Sequence, residues 1–120
     1  MLTSETLARL QAYRGAVASR YQPIAPGDIT SKIHGSCWVS PKVDGELWFL
    51  LQDEGAWILA ATNGRELTDA AMPILAAAAS SALPSDMIIA GELHVPGTGD
   101  DRERVGGVSS AIRSSSLDRL

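Results

Sequence analysis

The sequence predicts an α+β fold, an antiparallel sheet with flanking helices, and three observations carry that prediction. Residues 46–52 and 56–61 are rich in aromatic and branched side chains and flank Asp53-Glu54-Gly55, the pattern of a hairpin with a three-residue loop whose glycine takes a left-handed position. Residues 3–20 place apolar side chains at roughly helical spacing. An alanine-rich segment follows Pro73, a residue well suited to the first turn of a helix. Of the 120 residues, 45% are hydrophobic, enough to bury a core, and the length favours one unit, 1–120, or part of a larger one.

The elements follow in order. Thr3 or Ser4 can cap the first helix, with Leu7, Leu10, Val17 and Ala18 recurring along it. Pro23, Pro26, Gly27 and Gly35 make residues 21–36 an irregular connection, with Ile24, Ile29 and Ile33 expected to tuck against the core. Residues 37–41 are expected to form a short buried strand, with Cys37 in the core and Pro41 fraying its end. After the hairpin, Asn63-Gly64 marks a second turn, and a strand or turn follows at Glu66-Leu67. The alanine-rich helix should span 73–82 and stop before Pro84. Residues 87–95 read as a buried strand carrying one acid, Glu92, and ending at Pro96-Gly97-Thr98-Gly99. A last helix over 103–114 would set Val105, Val108 and Ile112 on one face. Trp38, Trp48 and Trp57 are expected to pack in the core or on the hairpin.

Charge and cysteine content narrow the function. A net charge of -4 argues against a general, charge-driven nucleic-acid binder, so any nucleic acid would have to be met by a local patch. The single cysteine, Cys37, excludes an intramolecular disulfide and a multi-cysteine zinc site. No stretch of 18 apolar residues and no hydrophobic leader occurs, so a cytoplasmic protein with no membrane partner is expected.

The residues that carry chemistry centre on Lys42-Val43-Asp44-Gly45, between the expected strand at 37–41 and the hairpin. A lysine attacks a nucleotide's α-phosphate only as the free amine, which at pH 7 is roughly one unperturbed lysine in 2,500. Burial against Trp38 and Val39, with a nearby divalent cation, would raise that fraction. Glu92 stands alone on an apolar strand, and a buried carboxylate there needs a cation, a metal or hydroxyl donors. Nucleotide with magnesium supplies all three.

Lys42-Val43-Asp44-Gly45 resembles the first motif of the covalent nucleotidyltransferase superfamily, which comprises ATP-dependent DNA ligases, RNA ligases and mRNA-capping guanylyltransferases. Downstream, Asn63-Gly64-Arg65-Glu66-Leu67-Thr68 resembles the family's second short motif and Ile89-Ala90-Gly91-Glu92-Leu93-His94 its third. Val105-Gly106-Gly107-Val108 is similar to the segment that follows in DNA ligases, so the likeness spans about residues 37–112. Three positions depart from the pattern. Leu47 replaces a usual arginine, as one branch of RNA ligases tolerates; Thr62 replaces an arginine before Asn63; and Ser40 stands where glutamate often recognises adenine.

The resemblance implies the N-terminal portion of a ligase adenylylation domain, a partial nucleotidyltransferase (ATP-grasp-like) fold. Residues 1–36 form its helix and connection, and residues 37–112 bear the motifs. It implies an ATP-dependent polynucleotide ligase, DNA or RNA, that uses ATP and Mg2+. Lys42 is the catalytic nucleophile, forming lysyl-AMP for transfer to a 5′-phosphorylated nucleic-acid end. Ser40, Lys42, Asp44, Gly45, Arg65 and Glu92 are the nucleotide-binding residues, with Glu92 at the metal. Nothing after Glu92 resembles the later motifs or the OB-fold that closes over the nucleotide. The chain is therefore expected to need the rest of the domain as a partner and to be inactive alone. The alternatives are a capping-type guanylyltransferase and a vestigial, non-catalytic nucleotide-binding fragment.

Overall fold

A computed structural model describes residues 1–40, 42, 45–95 and 105–113. Helix α1 (Ser4–Ala16) begins at Thr3, whose hydroxyl accepts from the Thr6 amide at 3.1 Å and so satisfies a first-turn donor. A 3₁₀ turn, Ala18–Arg20, follows it. A second 3₁₀ turn, Pro26–Asp28, leads into the single-turn helix α2 (Ile29–Lys32). Strands β1 (Glu46–Asp53) and β2 (Ala56–Ala60) form the hairpin, and β3 (Glu66–Leu67) returns along β2. Helix α3 (Pro73–Ala79), strand β4 (Ile89–Leu93) and helix α4 (Val105–Arg113) complete the chain.

The four strands form an antiparallel sheet in the order β3-β2-β1-β4. With a partner on each edge and helices over each face, β1 is enclosed, which explains its unbroken apolar run from Leu47 to Leu51. Its side chains alternate between two cores. Trp48 and Leu50 join Leu59, Leu93, Leu75 and Ala78 of α3, and Val108 and Ala111 of α4. Phe49 and Leu51 face the other way, onto Ile58, Ala60 and Leu10 of α1. The Tyr13 ring meets Phe49 edge-on, at 5.3 Å and 84°. The result is three layers, α1, sheet, then α3 with α4.

Both turn signals hold. Asp53 pairs with Ala56, so the hairpin loop is the two residues Glu54-Gly55, with φ of 50° and 84°, one residue shorter than expected. Gly64 has φ of 82° and follows Asn63, whose side chain accepts from the Arg65 amide. Helix α3 ends three residues early, because Ser80 and Ser81 turn their hydroxyls back onto the Ala76 and Ala78 carbonyls.

Residues 21–36 form an irregular connection broken only by two short turns, as expected, but the burial expected within 21–39 is absent. Ile24, Ile29 and Ile33 are exposed, as are Cys37, Trp38 and Val39, with Trp38 at 103%. Residues 37–40 form no strand. Neither flank of β1, the strand they lead toward, is open to them, since β2 and β4 occupy both, and they do not pair with the outer edge of β4. Pro41 and Asp44 lie outside the described residues, as do Pro96 to Gly99.

Candidate functional site

An open groove of about 820 Å3 is lined by Tyr21, Gln22, Pro23, Ser40, Lys42, Glu92 and His94. Three separate segments supply its walls: the chain leaving α1, the approach to β1, and the end of β4. The sheet register explains the convergence. Glu46 pairs with Leu93 and Leu47 with Glu92, which sets the entry to β1 beside the exit from β4. By strand alternation Glu92 shares a face with Ala90, which packs on the core beneath α1. That face opens beyond the C-terminal end of α1, where the Tyr21-Gln22-Pro23 segment passes.

Gly45 holds these two segments together. A Cβ built on it would stand 3.0 Å from the Leu93 carbonyl carbon, 3.3 Å from Glu92 Cβ, and closer still to the Leu93 carbonyl oxygen. The glycine is required here by close approach of backbone to backbone. It seats the start of the path into β1 against the strand that bears Glu92.

Of the residues expected at a nucleotide site, the groove therefore gathers Ser40, Lys42 and Glu92, with Gly45 bracing them. Asp44 lies outside the described residues. Glu92 is exposed, against the buried carboxylate expected, because β4 is an edge strand and its outer end faces the groove. Lys42 is exposed as well, and neither Trp38 nor Val39 covers it. Desolvation by those two side chains is not a means of activating the amine.

Arg65 belongs to a different cluster. Its guanidinium donates to Glu46 Oε2 at 3.1 Å and lies 5.1 Å from the centroid of the Trp48 ring. Trp48 Nε1 donates to the same oxygen at 3.3 Å, and the Ser109 hydroxyl donates to Glu46 Oε1. Burial pushes the Glu46 carboxyl up, but the hydrogen bonds from Ser109, Trp48 and Arg65, with the Arg65 charge, outweigh it and hold the group below its ordinary value. One carboxylate thus ties β1, the residue before β3, and α4.

Sequence reasoning missed Tyr21, Gln22 and Pro23, which sit in a proline-rich connection without periodicity. His94 carried a usable signal, since two residues from Glu92 in an extended chain puts it on the same side. Leu47 sits directly opposite Glu92 and packs on the core beneath α1, so the position where the resembling enzymes usually carry arginine is here apolar.

Among the described residues, no three His, Cys, Asp or Glu side chains gather as a metal cage. Among the same residues, no helix is long and apolar enough to cross a membrane. No protein-family model, curated protein or solved structure matches the chain.

Proposed function

We propose that the chain is the lysine-adenylylation segment of an ATP-dependent polynucleotide ligase, with Lys42 as the adenylate acceptor. One observation carries this reading above the others: Ser40 and Lys42, together with Glu92 fifty residues later, line a single groove whose volume suits a nucleotide. In that groove the Lys42 amine, having lost its proton to water, attacks the α-phosphorus of ATP. A nitrogen–phosphorus bond forms, the bond to the bridging oxygen breaks, pyrophosphate leaves with the electron pair, and the nitrogen gives up a second proton to water to leave the neutral phosphoramidate. The AMP then passes to a 5′-phosphorylated DNA or RNA end, and the adjoining 3′-hydroxyl displaces it.

Glu92 supplies one exposed carboxylate, a donor set that fits Mg2+ arriving on the nucleotide, because magnesium keeps several waters and takes few protein ligands beside substrate phosphates. When bound, that cation offsets charge on the phosphates. Glu92 also accepts from ribose hydroxyls, and Ser40 offers a hydroxyl that both donates and accepts. Arg65 is assigned to the Glu46–Trp48 cluster rather than to the nucleotide. The rest of an adenylylation domain, with its OB-fold, is the proposed partner.

The exposure of Lys42 favours a second reading, nucleotide binding without covalent transfer. Incubation with α-labelled ATP and Mg2+ separates the two. The chain contains only two lysines, Lys32 and Lys42, and Lys32 is 3.9 Å from Asp28 on α2, so it is an internal control. The expected result, with the later part of an adenylylation domain supplied in trans, is an acid-labile adduct retained in Lys32→Ala and lost in Lys42→Ala. No adduct under that condition overturns the catalytic reading, and labelling from GTP in preference to ATP reassigns the chemistry to the capping type.

A further inference from the structure

We propose that Tyr21 and Gln22 form the base-recognition wall of the groove and select adenine, an inference that rests on the nucleotide reading above. Tyr21 is 74% exposed and yet lines a groove otherwise walled by Gln22, Pro23, Ser40, Lys42, Glu92 and His94. Lysine answers to phosphate, the carboxylate to ribose hydroxyls, and serine to either. None of these provides a broad apolar face for a base. The phenol ring of Tyr21 does, and stacking on such a ring is the general way in which proteins hold bases without a duplex.

Gln22 adds selectivity. Its amide presents a donor beside an acceptor, the pattern that the adenine N6 and N7 edge takes from glutamine, whereas the N7 and O6 edge of guanine offers two acceptors. Pro23 biases Gln22 toward extended backbone, away from continuing a helix. Ser40, also on the groove, carries a single hydroxyl and cannot make that paired contact by itself. Base recognition in this chain thus comes from the segment that leaves α1, ahead of the lysine.

The test measures affinity of the full chain by calorimetry for Mg2+-ATP, Mg2+-GTP and ribose 5-triphosphate, which has no base. Tyr21→Ala should weaken ATP by about tenfold or more, leave ribose triphosphate unchanged, and be rescued by Tyr21→Phe. Gln22→Ala should bring the affinities for ATP and GTP together. Equal weakening of ATP and ribose triphosphate in Tyr21→Ala, an unchanged ATP affinity, or a surviving ATP preference in Gln22→Ala overturns the assignment. If the wild type binds neither ATP nor ribose triphosphate, the nucleotide reading falls and takes this one with it. If it binds ATP and labels Lys42 but is indifferent to Tyr21, only the base wall is lost.

Discussion

Replacing Gly45 by alanine should damage the groove more than the same change at the other described glycines outside α4, none of which has backbone within 4 Å of an added Cβ. The added Cβ would stand 3.0 Å from the Leu93 carbonyl carbon, where carbon atoms ordinarily rest about 3.5–4.0 Å apart, and nearer still to the carbonyl oxygen. The obstruction is backbone of a paired strand and cannot rotate aside, since Leu93 is held in register opposite Glu46. The approach to β1 must therefore part from β4 by roughly 0.5–1 Å, at an overpacking cost of about 1–3 kcal/mol. The displaced residues include the connection to Lys42, and a shift of about 1 Å between a nucleophile and its positioning groups can cost about a hundredfold in rate. Urea denaturation read by tryptophan fluorescence measures the first effect, and the rate of adenylate labelling with the domain's remainder in trans measures the second. A Gly45→Ala protein with unchanged midpoint and labelling rate would refute the close approach as the device that assembles the site.

Four other outcomes are expected. Glu46→Ala strips the acceptor from the buried Trp48 ring nitrogen, from Arg65 and from Ser109, so stability in urea should fall by about 1–3 kcal/mol. Because the folded-state carboxyl is held below its ordinary value, Glu46 stabilises the fold fully above the ordinary carboxylate pKa, near pH 4, and less as pH falls through the folded value; Glu46→Gln should flatten the acid limb of a stability–pH curve. Arg65→Ala should cost about 0.5–1.5 kcal/mol and change nucleotide affinity by less than twofold, and a larger affinity loss would return Arg65 to the nucleotide. Leu10→Ala removes the fully buried anchor of α1 from Phe49, Leu51 and Ile58, and thermal unfolding should report a loss of about 2–5 kcal/mol.

The parts of the fold that could be read from the chain were those set by local chemistry. Asn63-Gly64 and Glu54-Gly55 require left-handed backbone, and Leu47 to Leu51 can only be an enclosed strand or helix interior, so the hairpin was legible. Residues 37–39 were misread because apolar character does not by itself decide whether a segment joins a sheet, and β1, the strand they lead toward, already has β2 and β4 as partners. Glu92 was misread for the related reason that its burial depends on where β4 sits in the sheet order. Motif resemblance singled out Ser40, Lys42 and Glu92, and the register of β1 with β4 brings Glu92 beside the entry to β1. The Glu46 cluster could not be anticipated, because it joins residues 46, 48, 65 and 109 through contacts that depend on tertiary packing.

The most direct test of the groove as a nucleotide site is an amide NMR titration of the full chain with Mg2+-ATP. Shifts should concentrate at Tyr21, Gln22, Ser40, Lys42, Glu92 and His94, the residues that three separate segments bring to one groove. Saturation without shifts there, or shifts centred on Arg65, Trp48 and Ser109, would contradict the account.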